Sequence, residues 1–198
     1  ELTHMGNLCV EAIGKAAEAL REGSAEKARE MIAADEEIDQ IEKEIERMCL
    51  KLLLQQQPVA KDLRKISAAL KMITDMERIG DQAADIAEII LSSGMSEGTD
   101  MKEISAMATG VSKMVTNSVL AYVNKDLELA RNVIEADDVI DAMFDTIKQK
   151  LVTFITTGHK GEIAIDLIMV TKYLERIGDH ETNIAEWVEF SITGVHAD

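Results

Sequence analysis

The sequence predicts an all-α protein of two tandem three-helix bundles, six antiparallel helices in all. Three observations carry this. An internal repeat covers nearly the whole chain, the composition is aliphatic with a single proline, and apolar residues recur three and four apart over long segments.

The repeat sets the domain plan. Glu77-Arg78-Ile79-Gly80-Asp81 returns as Glu175-Arg176-Ile177-Gly178-Asp179, and Ile86-Ala87-Glu88 returns as Ile184-Ala185-Glu186, both at an offset of 98. Eight of the twenty positions in 72–91 and 170–189 are identical, where composition alone gives about one or two. A second pair, 26–45 and 128–147, shares nine of twenty at an offset of 102. The first half therefore holds a slightly longer connection, at Gln55-Gln56-Gln57-Pro58, where proline breaks the helix. Two domains follow, residues 1–94 and 98–194.

Each element has a local cause. The first helix runs over about 2–22 and stops at Gly23, with Ser24 as N-cap of the next. The second spans about 25–54 and the third about 59–91. The stretch Ser92-Ser93-Gly94 to Gly98-Thr99 links the halves. A fourth helix covers about 100–123. Asn124 or Asp126 caps a fifth that reaches about 156. Thr157-Gly158 breaks the chain, and the sixth covers about 162–192. Ile38, Ile41, Ile45, Met48 and Leu52 form a 3-4-3-4 seam on the second helix, and Leu63, Ile66, Leu70 and Ile73 form one on the third. Such seams pack antiparallel at shallow angles.

Composition narrows the partners. Lys+Arg 21 against Asp+Glu 37 leaves a net charge of -16. That charge repels nucleic-acid phosphate and anionic lipid, and favours cations or a basic protein surface. No apolar run is long enough to span a membrane, so no direct insertion is expected. No signal peptide is visible, and the chemistry reads as cytoplasmic. The chain opens on Glu1, which predicts a natural start upstream. Cys9 and Cys49 lie among apolar positions and read as reduced core thiols. With no CxxC or Cys/His cluster, zinc-finger and iron–sulfur sites are excluded. The eleven Met read as aliphatic filler, and Thr116-Asn117-Ser118 as a polar face. No phosphate loop, nucleophile elbow or triad spacing is present, so no enzyme is expected.

The acids interrupt the apolar pattern. Past Ile73 the third seam continues as Glu77, Gly80, Ala84 and Ala87, and the sixth helix does the same through Glu175 and Gly178. A mid-helix glycine costs about 1 kcal/mol relative to alanine, so its recurrence predicts close helix packing. Four acid pairs stand at i, i+4: Asp35 and Asp39, Glu77 and Asp81, Asp137 and Asp141, Glu175 and Asp179. Each pair shares one helix face. Like charges on an inner seam need neutralising. Arginine would do it, through Arg78, Arg176, Arg29 and Arg131. So would a bound metal, since paired carboxylates on facing helices hold metal clusters in bundles. An all-oxygen site suits iron, manganese or magnesium, with zinc as a further candidate. No Glu-x-x-His occurs, which argues against a ferritin-type centre, and His180 reads as a surface histidine.

These residues resemble the PhoU family. The resemblance rests on the two ERIGD copies followed by IAE, on Gln56-Gln57-Pro58-Val59-Ala60-Lys61-Asp62-Leu63-Arg64, and on Lys172-Tyr173-Leu174 leading into the second copy. It implies two three-helix bundles and a regulator of phosphate uptake and of the phosphate-starvation response. It implies as partners the ATPase of a phosphate ABC transporter and a sensor histidine kinase, with a homodimer held at the inner membrane face through them. It also implies a multinuclear iron or zinc cluster through E(D)xxxD motifs. Carried onto this chain, the ligands are Asp35, Asp39, Glu77, Asp81, Asp137, Asp141, Glu175 and Asp179. Asn183 stands where the first half has Asp85, so a weaker second cluster is expected. Two other readings remain: a carboxylate-bridged metal store or enzyme, and a cytoplasmic regulatory domain of a larger phosphate transporter.

Overall fold

The computed structural model describes residues 1–56, 58–93, 102–157 and 161–195. They form six helices: α1 Leu2–Glu22, α2 Ala25–Gln56, α3 Ala60–Ser92, α4 Lys102–Asn124, α5 Leu127–Thr156 and α6 Gly161–Thr193. The first three make one bundle and the last three the other. The residues expected to link the halves, the start expected for the fourth helix and the break at Gly158 fall largely outside the described residues.

Chain reversals follow local chemistry. Gly23 closes α1 in the left-handed region at φ 61, and its amide returns to the Ala19 carbonyl. The second half uses Lys125 at the equivalent place, with φ 55. Asp126, not Asn124, caps α5: its side chain accepts from the Leu129 amide at 2.9 Å. α2 runs two residues further than expected, to Gln56, because Pro58 restricts only the residue before it.

The two bundles join through four helices. α1 packs on α4 and α3 packs on α6, while α2 and α5 touch only their own bundle. Burial follows: thirteen residues of α3 are buried but only six of α2. α3 and α6 therefore form the central pair. Met5, Met31, Met72, Met76 and Met107 are fully buried, as filler should be. Cys9 and Cys49 are buried free thiols.

The seams hold only in part. Ile38, Ile41, Ile45 and Ile73 are buried, but Met48, Leu52 and Leu63 are exposed. The reason is length. The first turn of α1 lies level with Ile45, Cys49, Lys65 and Ala69, and α2 and α3 run on past it with no third helix among the described residues.

The α1–α4 contact is close enough to need a glycine. A Cβ on Gly6 would lie 2.5 Å from Val119 Cγ2, and a β-branched neighbour cannot rotate away cheaply. Gly6→Ala is expected to lower the unfolding free energy by about 1–3 kcal/mol. The double variant Gly6→Ala/Val119→Ala should lose less than the sum of the single changes. Urea unfolding of the four proteins measures both effects.

Candidate functional site: two acidic grooves

The acid pairs line two outer grooves. Asp35 and Asp39 on α2 face Glu77 and Asp81 on α3, and Asp137 and Asp141 on α5 face Glu175 and Asp179 on α6. They do not continue the inner seam, as the spacing suggested. The buried stripe of α3 passes through Ile79, Ala83 and Ile86, one face round. The acids sit where two helices meet with solvent on one side.

Glycine brings each pair of helices together. A Cβ on Gly80 would lie 2.7 Å from Asp35 Oδ1, and one on Gly178 would lie 2.9 Å from Asp137 Oδ1. The expected close approach is therefore real, and it is to a carboxylate oxygen as well as to Ile38 and Ile140. Both oxygens are buried and without a hydrogen-bond partner. Such atoms keep the full cost of desolvation.

Electrostatics follow from that packing. Burial, then the charges of Asp81, Asp39 and Asp85, push the Asp35 carboxyl up to about 6. Burial, then Asp141 and Asp179, does the same to Asp137, also to about 6. Glu77 is raised by burial and then by Asp81, Asp39 and Glu42. Asp81 is raised by burial, Asp39 and Asp85. Asp179 is raised by burial and Glu175, opposed by Lys172. Each groove thus holds carboxylates that repel one another, the arrangement that a cation relieves.

The arginines go elsewhere. Arg78 lies 3.8 Å from Asp75, and Arg131 pairs with Glu189 at 2.7 Å. Only lysines reach the eight acids among the described residues: Lys43 lies 3.4 Å from Asp39, and Lys172 pairs with Glu175. The donor set is all carboxylate, which suits hard or intermediate cations. Two partnerless oxygens fit that reading. Yet no three His, Cys, Asp or Glu side chains among the described residues converge on one point as they stand. Each groove offers pairs of carboxylates across two helices, not a closed ligand shell.

Two polar groups proved to be internal. His180 is not on the surface: its side chain is 13% exposed and its Nδ1 lies 2.9 Å from Asp75 Oδ1 on α3. Asn183 Nδ2 donates to the same oxygen at 3.4 Å. At the offset of 98, Asp75 and Asn183 correspond to Tyr173 and Asp85, and the Asp85 charge acts on Tyr173 across the same contact. The α3–α6 contact is therefore tied at both ends by matched polar pairs. Ser118, expected on a polar face, is fully buried beside Glu181, which is also fully buried. Ser118 Oγ donates to the Val115 carbonyl at 2.9 Å and lies 2.5 Å from Glu181 Oε2. Its one proton is used, so the carboxyl donates in turn. Burial pushes Glu181 up to about 8, which keeps it neutral. The signal was in the spacing. Ser118 follows Val111 and Val115, and Glu181 stands between Ile177 and Ile184, each on an apolar stripe.

Comparison with known proteins places the chain. A family model, the PhoU domain, matches residues 2–90 and 104–188. A phosphate-specific transport system accessory protein PhoU homolog of Clostridium acetobutylicum is 37% identical over 201 residues, covering 100% of this chain and 92% of that protein. One from Aquifex aeolicus is 37% identical over 89% of this chain and 80% of its own. The crystal structure of PhoU from Pseudomonas aeruginosa superposes with a TM-score of 0.92 at 32% identity, covering 98% of this chain and 94% of that one. PhoU from Streptococcus pneumoniae shares the fold, with a TM-score of 0.92 at 24% identity. No helix among the described residues is long and apolar enough to cross a membrane.

The raised carboxyls set a pH dependence. Asp35 and Asp137 bind protons more tightly folded than unfolded. Their contribution to stability is complete below their unfolded value, about 4, and is lost as pH rises through about 6. In chelator, Asp35→Asn/Asp137→Asn is expected to gain stability over the parent between pH 4 and pH 7. Urea midpoints across that range measure it.

Proposed function

The chain belongs to the PhoU family, and on that premise we propose that it restrains phosphate uptake and the phosphate-starvation response as an accessory of a phosphate ABC transporter. Its partners in this reading are the transporter ATPase and a sensor histidine kinase, reached from the cytoplasm as a homodimer. The names of the relatives support the transporter link, since they are called accessory proteins of the phosphate-specific transport system. Those names describe no enzyme.

The observation that carries the site's role is the pair of glycine-backed grooves. In each, a buried aspartate oxygen is shut against an ERIGD glycine with no partner, and acids from the facing helix surround it. A protein gains nothing in stability from such an arrangement alone. Its use is to hold a cation: iron or zinc, with manganese or magnesium as alternatives. Asp35, Asp39, Glu77 and Asp81 would hold it in one groove and Asp137, Asp141, Glu175 and Asp179 in the other. The bound charge would cancel the repulsion among these carboxylates.

Two measurements test this. Elemental analysis of protein purified without chelator should find stoichiometric metal, lost in Glu77→Ala/Asp81→Ala/Glu175→Ala/Asp179→Ala. Deletion of the gene should raise phosphate uptake and starvation-gene expression in phosphate-replete cells, and the parent gene should restore both to repressed levels. Unchanged uptake and expression on deletion would sink the regulatory reading.

A further inference from the structure

The two grooves are not copies of one another. At the offset of 98, Thr74 on α3 becomes Lys172 on α6; at the offset of 102, Glu42 on α2 becomes Phe144 on α5. Thr74 carries no charge and donates its hydroxyl to the Leu70 carbonyl of its own helix at 3.2 Å. Glu42 adds an acid beside Glu77, and Asp85 adds another beside Asp35 and Asp81. The only base on that groove's acids among the described residues is Lys43, on Asp39. Their side chains are 56% and 39% exposed, so solvent screens the pair.

The second groove is built differently. Lys172, 44% exposed, pairs with Glu175, whose side chain is 13% exposed, so this pair is less open to solvent than Lys43 and Asp39. The same ammonium lies 5.3 Å from the centroid of the Phe144 ring, whose face attracts a cation. Lys148 approaches that ring at 4.9 Å but is engaged by Asp145 at 2.7 Å. Asn183, which replaces Asp85, turns to Asp75 in the bundle contact. One acid has become an aromatic seat, one an amide, and a neutral residue has become the cation that sits there.

We propose that Lys172 is a resident cation of the α5–α6 groove, held between Glu175 and Phe144, so that divalent cations fill the α2–α3 groove first and enter the α5–α6 groove only by displacing it. The first clause stands on contacts within the chain. The second rests on the cation reading of the grooves given above. Lys172 does for the second groove what an external ion does for the first, and it competes with that ion by charge and by occupying its carboxylate. The repeat has thus divided into one groove that depends on a ligand and one that carries its own.

The test uses the whole chain and four proteins: the parent, Lys172→Thr, Lys172→Met and Thr74→Lys. Lys172→Met keeps the aliphatic stem and removes only the charge. In chelator, both Lys172 variants should melt lower than the parent by about 2–4 °C, the shift of one such contact in a chain of this size. Thr74→Lys should melt higher. Titration with manganese(II) chloride, followed by the paramagnetic signal of the free ion, should then show more manganese bound per chain in the Lys172 variants and less in Thr74→Lys. Equal chelated melting temperatures in the parent and Lys172→Met would overturn the resident cation. Shifted melting temperatures with no manganese bound by any protein would uphold the resident cation and overturn the uptake in the first groove. Equal manganese in all four would overturn the division between the grooves.

Discussion

The hydrogen atom that serves as the side chain of Gly80, and again of Gly178, is the constraint on which the site depends. It lets α2 lie against α3, and α5 against α6, close enough that an aspartate oxygen meets helix backbone. A methyl there would fall 2.7 Å from Asp35 Oδ1 or 2.9 Å from Asp137 Oδ1, so the carboxylate would have to turn away and Ile38 or Ile140 give ground. The same approach strips water from those oxygens and supplies nothing in return. Close packing and electrostatic tension are therefore one feature seen from two sides.

α3 and α6 each serve two interfaces. Their inner stripes, with Ile79, Ile86, Ile177 and Ile184 fully buried, hold the two bundles together. Their outer faces carry Glu77, Asp81, Glu175 and Asp179 into the grooves. Asp85 belongs to both regions, since its charge raises Asp35 in the groove and Tyr173 across the bundle contact. A change of charge in the first groove is thus felt where the bundles meet. The second groove lacks this link, because Asn183 carries no charge.

Buried polar groups mark where the halves have diverged. The offsets that relate the repeats place Ala16 and Ala83 opposite Ser118 and Glu181. An apolar contact in the first bundle is a neutral carboxyl–hydroxyl pair in the second. Ser118 and the Val115 carbonyl serve one carboxyl oxygen of this buried acid, and Oε1 has no hydrogen-bond partner. The halves share a backbone and differ in charge.

The sequence by itself determined the number of helices, their ends to within two residues where they are described, the duplication and the four acid pairs. These follow from local chemistry: 3.6-residue periodicity, glycine and proline punctuation, and identity at fixed offsets. The spacing also sets Ser118 and Glu181 on apolar stripes, but the run Thr116-Asn117-Ser118 reads as a polar face until burial and their mutual contact are seen. Tertiary structure alone decided the rest. It turned the acids outward to grooves instead of inward to a seam, left Met48, Leu52 and Leu63 exposed beyond the reach of α1, and drew His180 into the bundle contact. It also set Lys172 over Phe144. Spacing along one helix fixes which residues share a face, but which face is buried depends on the helices packed against it, and those lie tens of residues away in the chain.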